Sequence, residues 1–197
     1  MSQADKTITG LLFGSFNPVH TGHLIIASYF VQHTDIESVW FVLSPQNPFK
    51  TGEKMLEGSK RLELLNAAIE DNPAFFSCDV EMGMATPSYT INTIRKLQEN
   101  HPDRQFVLMI GSDNLDDFDQ WKDHETILDL VNIYVYPRSA QCKSRFLSNR
   151  KVKMFRAPLL EISSTMIRKT LAQGREPRYL LPDALLKIIR DKGYYRD

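Results

Sequence analysis

The chain has 197 residues, 42% of them hydrophobic, and its 24 basic and 24 acidic residues give a formal net charge of zero. This length suffices for one domain with a substantial core, and the balanced charge argues against nucleic acid as the main partner. No apolar run is long enough to cross a bilayer, and the polar start lacks a signal-peptide core. Cys78 and Cys142 lie far apart and form no CxxC pair, so we expect a cytoplasmic protein with two ordinary thiols.

Patterns typical of strands and helices alternate from end to end. The apolar runs predict strands at 8–13, 39–43, 74–80, 106–110, 132–136 and 152–155, the last at a sheet edge. Helical spacing predicts helices at 24–31, 56–70, 88–99, 118–130, 165–172 and 182–192. We therefore predict a single Rossmann-like α/β domain over residues 1–197. Its open parallel sheet should have about five to six strands and helices on both faces, with the C-terminal helical part, about 164–197, packed on the same sheet.

Ligands bind beyond the carboxyl ends of the strands in such sheets. The loops after the first, second and fourth strands, around Ser15, Asn47 and Ser112, should therefore share one rim.

Residues 14–23 (GSFNPVHTGH) join the first strand to the first helix. The free N–H groups and positive dipole end of that helix suit a phosphate, and Gly14 lets backbone approach a ligand closely. His20 and His23, three residues apart, add N–H donors on one side. The same pair is also compatible with half of a metal site or with polar helix caps, although no further Cys or His cluster completes a zinc sphere.

Residues 161–168 (EISSTMIR) form the second informative stretch, with three hydroxyl residues before a helix. Ser163 or Ser164 can cap that helix, and Arg168 lies about one turn inside it. Taken alone, the stretch is typical of a plain cap with a surface arginine. Combined with the histidines, it predicts a second wall around a polyphosphate.

These two stretches resemble the two signatures of the HxGH nucleotidyltransferase superfamily, the second being ISSTxIR. Within it, the middle and end of the chain resemble the bacterial nicotinate mononucleotide adenylyltransferases, through 86–90 (TPSYT), 111–114 (GSDN), Trp121, 180–182 (LLP) and 193–195 (GYY). Two positions depart from the pattern: Phe13 stands where many members have glycine, and Lys122 follows the tryptophan where many have an aromatic residue or histidine.

The resemblance implies transfer of AMP from ATP to nicotinate mononucleotide in NAD biosynthesis, giving nicotinate adenine dinucleotide and pyrophosphate. Mg²⁺ would bridge phosphate oxygens, and no protein ligand of the metal is assigned. His20, His23 and Arg168 would be catalytic. The expected ATP-binding residues are Gly14, Ser15, Phe16, His20, His23, Gly111, Asp113, Ser163, Ser164, Thr165 and Arg168. The expected mononucleotide-binding residues are Asn17, Lys50, Thr86, Ser88, Tyr89, Thr90, Trp121 and Arg138.

Several of these roles have an alternative. Trp121 is also compatible with a packing residue, Lys50 and Arg138 with solvated surface charges, and Asp113 with a turn aspartate. A sibling transferase acting on nicotinamide mononucleotide, phosphopantetheine or glycerol phosphate, or a non-catalytic nucleotide sensor, would have a similar sequence. We expect a monomer or a small homo-oligomer, without nucleic-acid or membrane partners.

Overall fold

The structure, a computed structural model, describes residues 6–45, 55–138 and 142–196. The strands are β1 Thr7–Gly14, β2 Ser38–Leu43, β3 Phe75–Cys78, β4 Arg104–Gly111, β5 Asn132–Tyr136 and β6 Val152–Met154. The helices are α1 Thr21–His33, α2 Gly58–Ile69, α3 Thr90–Asn100, α4 Ser112–Asp116, α5 His124–Leu130, α6 Ser164–Ala172 and α7 Asp183–Lys192. Short 3₁₀ turns lie at Val80–Gly83, Phe118–Gln120 and Arg145–Ser148.

The six strands form one parallel sheet in the order β3-β2-β1-β4-β5-β6. In this central part of the sheet, Leu11 of β1 is paired with Trp40 of β2 on one side and with Leu108 of β4 on the other. After β1 the chain adds β2 and then β3 on one side of the sheet. It then returns to the other side of β1 with β4, so the strand order reverses between β1 and β4. A crevice for ligands opens at such a reversal. The predicted α/β class, the parallel sheet and the edge position of the sixth strand are confirmed.

Helices cover both faces of the sheet because successive strand residues point to opposite sides. Leu12 of β1 belongs to a core shared with α1, α2, α6 and α7, which we call the α1 face. Leu11, the preceding residue, belongs to the core shared with α3 and α5, which we call the α3 face. The two C-terminal helices contribute Ile167, Leu171, Leu185 and Ile189 to the α1-face core.

The predicted continuous helix at 118–130 is wrong. A 3₁₀ turn ends at Gln120, Trp121 is extended, and α5 begins only at His124. Asp123 adopts a left-handed conformation with φ of 52°, which aspartate tolerates better than most residues. Phe118 and Ile127 both reach the α3-face core in spite of the break. Trp121 and Lys122 therefore lie on a turn between two short elements.

Among the described residues, no helix combines the length and the apolar character that crossing a membrane requires.

Candidate active site

A cavity of about 610 Å³ lies beyond the carboxyl ends of β1 and β4, at the reversal of strand order. Its volume is in the range typical of small-molecule sites, roughly 300–1,000 Å³. Two groups of side chains form much of its lining. The first, which we call the histidine–arginine wall, consists of His20, His23, Ser163, Ser164, Thr165 and Arg168. The second, which we call the tryptophan wall, consists of Ser88, Tyr89, Thr90, Trp121 and Lys122.

Most residues that the sequence predicted for the site line this one cavity. All residues of the two walls except Lys122 were predicted for the site. The lining also includes the predicted residues Gly14, Ser15, Phe16, Asp113 and Arg138. Asn17, Thr86 and Gly111 are not part of the lining, and Lys50 lies outside the described residues. Residues to which the sequence assigned no role also line it, and these include Ser44, Glu81, Asn114, Gln120 and Tyr136.

The loop after β1 is shaped by the packing of Phe16 on Gly14. Phe16 is buried with a positive φ of 41°. A Cβ placed on Gly14 would lie 2.8 Å from Cε1 of the Phe16 ring, so only glycine leaves space for that ring. The sequence predicted that Gly14 makes room for a ligand. In the structure a neighbouring aromatic side chain occupies that space, and the same ring contacts His23 edge-on at 5.1 Å between centroids.

The two histidines form a stacked pair where α1 begins. Their ring centroids lie 3.7 Å apart with an interplanar angle of 23°. His20 precedes the first helical residue, and its backbone N–H donates to Nδ1 of His23 at 3.2 Å. Because Nδ1 of His23 accepts this bond, the proton of a neutral His23 imidazole is on Nε2. The pair therefore caps the helix, and both histidines also line the cavity.

Hydrogen bonds across the whole length of the chain join the two halves of the histidine–arginine wall. Ser164 donates its hydroxyl to the carbonyl of Pro18 at 2.9 Å, and Arg168 Nη1 donates to the carbonyl of Asn17 at 2.9 Å. Ser163 caps α6 by accepting from the backbone N–H of Met166. These bonds fix the start of α6 beside the loop that carries the histidines, so the two signature stretches converge on one cavity.

Electrostatics keep His20 uncharged. Burial lowers its pKa to about 4, and the positive charge of Arg138 acts in the same direction. At neutral pH His20 is a neutral imidazole, which can donate one hydrogen bond. Burial also raises the pKa of Tyr136, on the cavity lining, to about 12, so its phenol stays protonated.

Arg61 of α2, which the sequence analysis missed, holds the loops beneath the cavity. It is only 2% exposed, and its guanidinium donates to the backbone carbonyls of Ser15, Ser44, Pro45 and Leu56. Burial lowers its pKa from the ordinary arginine value. Its sequence signal was available: Arg61 begins the buried stripe of α2, which continues with Leu64, Leu65, Ala68 and Ile69. The apolar residues whose helical spacing predicts this helix are Leu62, Leu65 and Ile69, of which Leu65 and Ile69 are buried and Leu62 is only partly buried.

Glu81 supports the tryptophan wall from inside. This carboxylate is 2% exposed and accepts hydrogen bonds from the hydroxyls of Ser88 at 2.6 Å and Thr93 at 2.7 Å. Ser88 therefore directs its proton at Glu81. Tyr89 follows as the residue that precedes α3, so the N–H of Thr90 begins that helix. Glu81 lies in a segment without periodicity, and no sequence pattern distinguished it.

At the ends of β4 and β5, Arg138 and Asp113 face each other. The Nε of Arg138 lies 3.9 Å from Oδ2 of Asp113, and the Arg138 backbone N–H donates to the hydroxyl of Ser112 at 2.9 Å. A Cβ on Gly111 would collide with the side chains of both Asp113 and Arg138. Gly111 thus makes room for this pair, although it does not line the cavity itself.

Asn17 and Thr86 are the other two predicted residues outside the lining, and their surroundings differ. Asn17 is buried, and its Oδ1 accepts the backbone N–H of Leu56 while its carbonyl accepts from Arg168. Thr86 is exposed. Asn17 thus organises the loop, whereas Thr86 makes no contribution to the lining in this state.

Within the described ranges, no three His, Cys, Asp or Glu side chains lie close enough together to hold a metal ion. The residues that surround the cavity there do not form a metal sphere of their own. They fit a metal that enters already bound to phosphate oxygens.

The chain is similar in sequence to a known protein family and to individual proteins. The profile described as Cytidylyltransferase-like matches residues 11–170. A probable nicotinate-nucleotide adenylyltransferase of Cytophaga hutchinsonii is 44% identical over 186 residues, which cover 94% of this chain and 97% of the relative. One of Bacteroides thetaiotaomicron is 40% identical over 191 residues, which cover 97% of this chain and 95% of the relative.

Solved structures share the fold. Plasmodium falciparum nicotinic acid mononucleotide adenylyltransferase complexed with NaAD has a TM-score of 0.78 at 19% identity, over 96% of this chain and 97% of that one. A putative nicotinate-nucleotide adenylyltransferase from Vibrio parahaemolyticus has a TM-score of 0.73 at 20% identity, over 97% of this chain and 96% of that one.

Proposed function

The chain belongs to the Cytidylyltransferase-like family and, within it, to the nicotinate-nucleotide adenylyltransferases, and from this we propose how its cavity works. The enzyme transfers AMP from ATP to nicotinate mononucleotide and releases pyrophosphate. The observation that carries the proposal is the convergence of His20, His23 and Arg168 on one cavity, which the bonds from Ser164 and Arg168 to the loop after β1 support.

The reaction does not require the protein to form a covalent bond with either substrate. A phosphate oxygen of nicotinate mononucleotide attacks the α-phosphorus of ATP, a new P–O bond forms, and the bond to the β-phosphate oxygen breaks. The attacking phosphate is already ionised near neutral pH, so neither a strong base nor a protein nucleophile is required. Catalysis of this kind consists mostly of positioning and electrostatic stabilisation.

The histidine–arginine wall supplies donors for the triphosphate. His20 is neutral, so it acts as a hydrogen-bond donor, and His23 donates through Nε2. The N–H groups of Ser164 and Thr165 precede the capped N–H of Met166 at the start of α6 and favour an anion there. Arg168, one turn further, contributes the positive charge for the outer phosphates.

The tryptophan wall receives the mononucleotide. Trp121 stacks on the pyridine ring, and the start of α3 at Thr90 meets the ring carboxylate with its N–H groups. The hydroxyl of Ser88 is committed to Glu81 and orders this segment. Arg138, beside Asp113, contacts phosphate where the two walls meet.

Mg²⁺ is the divalent ion that we assign to the reaction, bound to ATP as part of the substrate. It would neutralise phosphate charge, and its ligands would be phosphate oxygens and water. The cytoplasmic location and the monomeric or small homo-oligomeric state remain predictions from the sequence.

Pyrophosphate release tests the function. The purified enzyme is incubated with ATP, Mg²⁺ and one acceptor at a time: nicotinate mononucleotide, nicotinamide mononucleotide, phosphopantetheine or glycerol phosphate. We expect the fastest release with nicotinate mononucleotide. Faster release with another acceptor would identify a sibling transferase, and binding of ATP without release would identify a sensor.

A further inference from the structure

Lys122 is a charged cavity residue to which the reaction described above gives no role. It follows Trp121 on the turn that interrupts the predicted helix, and it lines the cavity on the tryptophan wall. Its Nζ lies 4.5 Å from the centroid of the Tyr89 ring, within the range of a cation–π contact. Tyr89 immediately precedes α3. The ring of Tyr89 thus holds a lysine ammonium beside the start of that helix.

In the described part of the chain no carboxylate forms an ion pair with the Lys122 ammonium, which is therefore available for an anion. The nearby buried carboxylate, Glu81, already accepts the hydroxyls of Ser88 and Thr93. The two arginines on the described lining lie elsewhere, Arg168 on the histidine–arginine wall and Arg138 beside Asp113. Lys122 is therefore the full positive charge that the described lining places next to Tyr89 and Trp121.

We propose that Lys122 is a specificity-determining residue that binds the carboxylate of the pyridine ring. The inference rests on the proposed function and deepens it. A ring stacked on Trp121 would bring its carboxylate toward the ammonium on Tyr89 and toward the first N–H groups of α3. An uncharged ring amide gains no charge-assisted bond with Lys122, and its own N–H₂ group faces other donors.

The mononucleotide phosphate is the competing partner for the same ammonium. Nicotinate and nicotinamide mononucleotides carry the same phosphate and differ only in the ring substituent. A phosphate contact therefore lowers activity with both acceptors equally, whereas a carboxylate contact lowers activity with nicotinate mononucleotide alone. The ratio of the two kcat/KM values separates these partners.

Two variants separate the charge from the packing. Lys122→Met removes the ammonium but keeps an apolar chain over the Tyr89 ring, and Lys122→Arg keeps a positive charge. The matched control is Lys96→Met on the exposed side of α3, where the lysine pairs with Glu99 at 3.8 Å. Steady-state kinetics with both acceptors, the KM for ATP and thermal unfolding are measured for every variant.

For Lys122→Met we expect the ratio of kcat/KM for nicotinate to nicotinamide mononucleotide to fall roughly tenfold through a higher KM for the nicotinate form, with the KM for ATP unchanged. Lys122→Arg should keep most of the ratio, and Lys96→Met all of it. An unchanged ratio in Lys122→Met, or an equal loss with both acceptors, overturns the inference. A wild-type enzyme that releases pyrophosphate with neither acceptor overturns the proposed function instead, and the inference with it.

Discussion

The two walls of the cavity are built in different ways. The histidine–arginine wall consists of two contiguous stretches, each at a helix start, joined by hydrogen bonds between residues about 150 positions apart, such as Ser164 to Pro18. The tryptophan wall combines the start of α3, a turn at 121–123 and the buried Glu81 beneath them. In the proposed function the first wall holds the triphosphate, which many nucleotidyl transfers share, and the second wall holds one particular acceptor. Under that proposal the shared chemistry is encoded in short motifs, whereas selectivity for the acceptor depends on tertiary packing.

The largest expected effect concerns Arg61, which holds the loops beneath the cavity. Arg61→Met removes a buried guanidinium and leaves the carbonyls of Ser15, Ser44 and Leu56 without their donor. We expect the free energy of unfolding to fall by about 3 kcal/mol, because unpaired buried polar groups are costly. Urea unfolding measures it.

Lys60→Met is the control for Arg61, since Lys60 is the preceding residue, is about half exposed, and makes a surface ion pair with Glu57 and a contact with the Tyr194 ring at 5.9 Å from its centroid. It should change stability little. If both variants were equally stable, the loops after β1 and β2 would not depend on the guanidinium.

The next effect separates catalysis from folding on the same wall. His23→Ala removes one donor from the triphosphate site, and we expect kcat to fall by at least about 10²-fold. Circular dichroism should show a folded protein. His33→Ala, on the exposed last turn of α1, is the control and should retain full activity. Turnover near the wild-type value in His23→Ala would contradict the assigned role.

The same difference between the two walls explains which parts of the fold and of the site could be predicted from the sequence. The strands were placed nearly correctly because buried parallel strands are continuous apolar runs, such as 132–136, which matches β5. His20, His23 and Arg168 were predicted for one site because each lies in a motif, and all three line the cavity. The helix break at 121–123 was missed because helical spacing continues from Phe118 to Ile127, and only packing shows that both residues reach one core across the break.

Glu81 and Arg61 were missed for different reasons. A single glutamate in an aperiodic segment gives no pattern, and its value to the site comes from contacts with Ser88 and Thr93 that only the fold creates. Arg61 did occupy the buried stripe of α2, but a charged residue there is normally assigned to the surface.

Because His20 of the histidine–arginine wall is buried, the free energy of unfolding of the protein should depend on pH. The pKa of His20 is lowered to about 4 in the folded state, against 6.5 ordinarily, so the unfolded chain binds a proton that the folded one does not. Stability is then complete above pH 6.5 and falls as the pH drops toward 4. At pH 5 the loss is about 2 kcal/mol for this one group.

The measurement for His20 is urea unfolding of the wild type and of His20→Asn between pH 7 and pH 4.5. Carboxylates titrate in both proteins, so the difference between the two curves isolates the imidazole. We expect the variant to lose less stability than the wild type on acidification. Parallel curves would show that His20 titrates with the same pKa in the folded and the unfolded protein.

The smallest effect tests whether the tryptophan wall selects the acceptor or only packs. Trp121 lies 5.4 Å from Phe118 between ring centroids, so its indole has a packing partner as well as a face on the cavity. Loss of ring stacking costs about 1.4 kcal/mol, so Trp121→Ala should raise the KM for the mononucleotide roughly tenfold and leave the KM for ATP unchanged. Trp121→Phe retains an aromatic face and should lie near the wild type. If Trp121→Ala instead raised both KM values together with a lower melting temperature, the indole would be a packing residue, and the difference between the two walls would not extend to substrate selection.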